Sequence, residues 1–164
     1  MKLGKKTILL GGLPIGLAVS GALAFVVLSG GSAPKPEIPD PAEGQLGVML
    51  ALEERVVNLL PSGTTGYRYA KVGVTVELRP ESADFYALKG EPRVAAEKIA
   101  TDEHEASVPL LLDALGRVVS ARDSAQIGGT EARGQLKSEL LDAFRHVLGE
   151  KEVIDLYFTD LVMQ

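Results

Sequence analysis

From Thr7 to Leu28 the sequence TILLGGLPIGLAVSGALAFVVL contains no charged side chain, and the flanking charges are Lys6 and Lys35. A run of about 22 residues rising ~1.5 Å each spans ~33 Å as a helix, which matches the ~30 Å hydrocarbon core of a bilayer. The segment therefore reads as a transmembrane helix over residues 7–28. Lys2, Lys5 and Lys6 ahead of it place residues 1–6 in the cytoplasm under the positive-inside rule. Gly12, Gly16 and Ser20, spaced four apart, form a face on which a second helix can approach closely; small residues are also simply common in such helices. A cleavable signal peptide is the competing reading, because Ala22-Leu23-Ala24 has the small-x-small form of a cleavage site. The apolar run continues through Phe25, Val26, Val27 and Leu28, beyond a usual signal core, which favours retention.

Residues 29–45 read as a spacer on the far side of the membrane. Pro34, Pro36, Pro39 and Pro41 favour extended polyproline-like geometry and exclude a packed element. Residues 46–164 remain for one folded domain, enough for a single hydrophobic core. Three of the 17 Lys and Arg precede the apolar segment and none of the 22 Asp and Glu does, which leaves 14 against 22 and a formal charge of −8. An acidic domain is poorly suited to nucleic acid and does not adhere to anionic lipid by charge. The absence of cysteine excludes disulfides, thiolate metal sites and a cysteine nucleophile.

Within the domain, Leu46–Leu60 holds two short apolar stretches divided by Glu53-Glu54, and the second reads as a strand. Ser62–Gly66 supplies turn residues. In Tyr67–Arg79, Ala70, Val72, Val74, Val76 and Leu78 alternate with Lys71, Gly73, Thr75 and Glu77, the pattern of a strand half-buried on a core. Pro80–Glu105 is polar and weakly periodic, with a short helix expected near Val94–Thr101. Val108–Arg122 carries Leu111, Leu112, Leu115, Val118 and Val119 at helical spacing, and Pro109 suits its first turn. Thr130 is a candidate N-cap for a helix striped by Leu136, Leu140, Phe144, Val147 and Leu148 and ended by Gly149. Val153–Met163 reads as a closing strand with Ile154, Leu156, Phe158 and Val162 on one face. Its apolar character predicts a place inside the sheet rather than at its edge. The fold class expected is α+β, a mainly antiparallel sheet packed by two or three helices.

Catalytic motifs are absent. His104 lies among acidic neighbours, His146 rides on the last helix, and neither belongs to a metal-ligand spacing. There is no Gly-x-Ser-x-Gly elbow, and Gly128-Gly129-Thr130 lacks the lysine of a phosphate loop. No cofactor is expected, and the chain does not read as an enzyme.

The closing residues Leu156-Tyr157-Phe158-Thr159-Asp160-Leu161-Val162-Met163-Gln164 resemble the "-VYFTxFVVQ" terminus of the flagellar basal-body-associated FliL family. Asn58-Leu59, the strand Tyr69–Leu78 and the helix Leu136–Gly149 are similar to further family motifs in the same order. Leu112 stands where that pattern has arginine, and His146 or a neighbour where it has asparagine. The resemblance implies a single-pass inner-membrane protein of the flagellar basal body. Its outer domain would be stomatin/prohibitin-like and would form a homo-oligomeric ring that associates with stator units and supports their recruitment or activity in motility. Asn58, Leu59, Tyr157, Phe158, Thr159, Asp160 and Gln164 are then family-motif positions with structural roles. The alternative reading is a membrane-anchored extracytoplasmic module that binds a ligand or lipid and has no part in motility.

Overall fold

The computed structural model describes residues 41–61 and 69–164. The expected membrane span with its Gly12, Gly16 and Ser20 face, most of the spacer, and the Ser62–Gly66 turn lie outside these residues. Among the described residues no helix is long and apolar enough to cross a membrane.

Strand β3 (Tyr69–Leu78) organises the domain. Its alternation sends Ala70, Val72, Val74, Val76 and Leu78 into the core, each at most 1% exposed. One edge of β3 pairs antiparallel with β4 (Val153–Met163) along nearly its whole length. The other edge is shared by two short strands laid end to end. β1 (Val48–Ala51) pairs with Thr75–Leu78, and β2 (Arg55–Asn58) pairs with Tyr69–Val72. The first apolar stretch is thus a strand as well as the second. Between them the chain breaks step, with Leu52 still donating its N–H to Val74 O at 2.9 Å.

Four helices follow β3: α1 (Glu91–His104), α2 (Val108–Ser120), α3 (Ala125–Gly128) and α4 (Thr130–Leu148). A 3-10 turn over Ala83–Ala87 precedes them. Leu111, Leu112, Leu115 and Val119 of α2 and Leu136, Leu140 and Phe144 of α4 meet the apolar side of β3 in one core cluster. The domain is α+β with an antiparallel sheet, as the pattern of periods required.

Several expectations need correction. β4 pairs only with β3 and is an edge strand. Its apolar content serves packing against α4 rather than enclosure between strands. Register shifts at Gly73/Val74 and Glu77/Leu78 twist it out of step, the usual protection of an edge against pairing with another chain. They also break the simple alternation: Leu156 is buried and Phe158, Leu161 and Met163 pack on the core, while Val162 is 45% exposed. Helix α1 is longer at both ends than the segment expected near Val94–Thr101. Gly90 at φ 62° admits the chain to the helix, Glu91 and Pro92 occupy its first turn, and the pairs Arg93–Glu97 and Lys98–Asp102 brace its length. Thr130 is the first helical residue of α4 and not its cap, because Gly129 takes the extended cap position. A nearer cap belongs to α3, where Asp123 Oδ1 accepts the N–H groups of Ala125 and Gln126.

Candidate functional site

Five family-motif residues lie along β2 and β4 beside the β3 residues Tyr69, Lys71, Gly73, Thr75 and Glu77, which alternate with its buried apolar set. Asn58 stands across from Tyr69, and Tyr69 exchanges both backbone hydrogen bonds with Gln164 at 2.9 Å. Asp160 accepts a 2.7 Å hydrogen bond from Lys71 Nζ, which also pairs with Glu54 at 2.8 Å. Lys71 thereby ties β3 to the chain on both of its flanks. Thr159 occupies the β-bulge over Gly73, where an added Cβ would come within 2.6 Å of its Oγ1. Tyr157 donates its hydroxyl to Glu77 Oε2 at 2.6 Å. The two remaining motif residues turn inward: Leu59 is buried, and Phe158 packs against the core.

Glu77 alternates with the apolar core set of β3, yet like Gly73 it is buried, at 3% exposed. Its other oxygen accepts the Gly47 N–H at 2.7 Å. Gly47 has no room for a side chain, since a Cβ there would collide with the Leu78 carbonyl oxygen. One carboxylate therefore joins the entry of β1, the end of β3 and the middle of β4. The only signal in the sequence is a glycine immediately before a strand, which by itself does not point to a carboxylate 30 residues later.

These contacts restrain the chemistry available. The hydrogen bond to Glu77, then burial, push the Tyr157 hydroxyl up to about 12. Hydrogen bonds to Asp160 and Glu54 hold the Lys71 ammonium above its usual range. Both groups keep their protons at neutral pH and are poorly placed to act as base or nucleophile. Among the described residues no group of His, Asp and Glu gathers as metal ligands. His104 Nδ1 lies 2.8 Å from Ala100 O on its own helix, and His146 is exposed. The constellation clamps strands to one another. Around it Val56 and Val162 stand exposed on either side of Lys71 in one register row, and Tyr69 is exposed in the next row on that face.

A second feature lies at the start of β1. Arg93 of α1 donates to Leu46 O at 2.8 Å and Gly47 O at 3.0 Å, and its guanidinium sits 3.8 Å over the Phe85 ring. It fixes α1 to the point where the chain enters the domain. Beside it a groove of about 250 Å³ opens between α1 and the 3-10 turn, with Val48, Phe85, Leu88 and Ile99 in its walls. Sequence reasoning missed both, because α1 has weak amphipathic character and none of its residues is fully buried.

Residues 49–164 match the family model described as flagellar basal body-associated protein FliL. The match spans β1 through β4 and includes every motif position in the described domain. The chain is also similar to the flagellar protein FliL of Aquifex aeolicus (strain VF5), with 31% identity over 128 residues. That alignment covers 77% of this chain and 67% of the relative.

Proposed function

The chain belongs to the FliL family of flagellar basal body-associated proteins, and from that premise we propose that it is a non-enzymatic scaffold of the flagellar motor. Residues 7–28 anchor it in the inner membrane with residues 1–6 in the cytoplasm. The spacer of residues 29–45 holds the domain of residues 46–164 away from the bilayer, at up to ~3.1 Å per residue of polyproline-like chain. Copies of the domain form a ring around stator units, and binding favours the engaged state of a stator without any bond chemistry.

The observation that carries this reading is the family match across the whole described domain from Met49 onward. Two further features support it. A closed ring of identical subunits needs two different surfaces that meet head to tail, and this domain presents, as a candidate for one of them, an open sheet face on which Val56, Tyr69 and Val162 are exposed. The polar constellation on the sheet holds the Tyr157 hydroxyl and the Lys71 ammonium protonated and clamped, which suits a rigid support better than a reaction centre. Co-purification of the full-length chain with stator subunits, with crosslinks mapped to the spacer and domain, tests the proposal. Deleting the gene is expected to leave filaments assembled and to lower swimming or swarming torque. Unchanged motility under high load together with no stator crosslink would sink it.

A further inference from the structure

The groove beside α1 takes no part in the sheet constellation and has a composition of its own. Phe85 and Leu88 line it together with Ile99, which is 63% exposed, a large apolar side chain left facing water. A volume of about 250 Å³ falls below the ~300–1,000 Å³ of pockets that hold small-molecule ligands, and suits one or two side chains of a partner. Glu81, Asp84 and Glu103 line it, and no Lys or Arg does. Among the described residues none of these three carboxylates has an ion-pair partner, although the neighbouring Glu97 and Asp102 on the same helix are both paired. Three unpaired like charges around an apolar slot repel one another, and a cation brought by a partner relieves that repulsion while an anion adds to it.

We propose that this groove docks a cationic amphipathic helix of a partner protein. Aliphatic side chains one turn apart enter between Phe85 and Ile99, and Lys or Arg residues flanking them face Glu81, Asp84 and Glu103. The inference rests on the groove alone, so it stands or falls separately from the ring and stator reading.

The test uses the full-length chain in nanodiscs of zwitterionic lipid and a fluorescent helical peptide with leucines at i and i+4 flanked by lysines. Anisotropy is read against empty nanodiscs, which removes the peptide's affinity for lipid. The expected result is binding in the micromolar range that weakens with added salt. The triple variant Glu81→Lys, Asp84→Lys, Glu103→Lys should weaken it at least tenfold, and so should Ile99→Glu. A peptide with glutamates in place of the lysines should not bind, and Ser138→Glu on the exposed side of α4 should leave affinity unchanged. Thermal unfolding by circular dichroism shows that each variant is folded; Ile99→Ala serves if Ile99→Glu is not. Equal binding by the triple variant and the native chain would overturn the proposal. So would equal binding of the glutamate peptide, or groove variants that change only self-association of the chain.

Discussion

Replacing Tyr157 by Phe removes one oxygen from the sheet and leaves Glu77 Oε2 without its 2.6 Å donor. Glu77 is 3% exposed, so water does not freely take the donor's place. A hydrogen bond to a charged group contributes roughly 1.5–3 kcal/mol, and the partial exposure of Tyr157 argues for the lower half of that range, about 2 kcal/mol. A domain of about 120 residues loses ~0.25 kcal/mol per degree near its midpoint, so the variant should melt about 8 °C lower. Urea unfolding followed by circular dichroism should give the same loss at unchanged slope.

The pH dependence provides a second reading of the same bond. The Tyr157 hydroxyl is raised from 10.0 to about 12, chiefly by its hydrogen bond to Glu77. Between these values the native chain binds a proton that the unfolded chain has released, so stability falls as pH rises. The advantage of the native chain over Tyr157→Phe is therefore full below pH 10 and shrinks toward pH 12. Removing Glu77 as well, by Glu77→Gln, should show coupling between the two sites of about 1 kcal/mol or more. A Tyr157→Phe variant within 0.5 kcal/mol of the native chain, or a stability gap that stays constant to pH 12, would refute the clamp.

Three other outcomes are expected. Gly73→Ala drives a Cβ into Thr159 Oγ1 and should cost about 1–3 kcal/mol in thermal unfolding, most of it recovered by adding Thr159→Ala, which removes the colliding oxygen. Arg93→Ala should lower stability by about 1.5–3 kcal/mol and speed hydrogen exchange at residues 46–48; Arg93→Lys should restore less than half, because an ammonium cannot both stack on Phe85 and reach the Leu46 and Gly47 carbonyls. Phe144→Ala, at a fully buried site between α4 and the sheet, should cost about 3–5 kcal/mol in urea unfolding.

Residue periodicity carried most of the fold. The period of two in Ala70–Leu78 and the helical spacing of Leu136, Leu140 and Phe144 name core residues correctly, because a residue's side of a strand or helix depends only on local geometry. The closing motif carried the family for a similar reason: it is one continuous segment. Sequence by itself thus determined the α+β class, the main core positions and the family. Tertiary structure decided the rest. Whether β4 is central or at an edge depends on which strands flank it, and nothing within Val153–Met163 encodes the neighbour. The bulges that turn Val162 outward arise from pairing with β3. Glu77 is buried because Gly47 and Tyr157 arrive from distant parts of the chain to satisfy it, and Arg93 holds α1 through carbonyls 46 and 47 residues earlier. Backbone and side-chain preferences act over a few residues, while these contacts exist only once the chain has closed on itself.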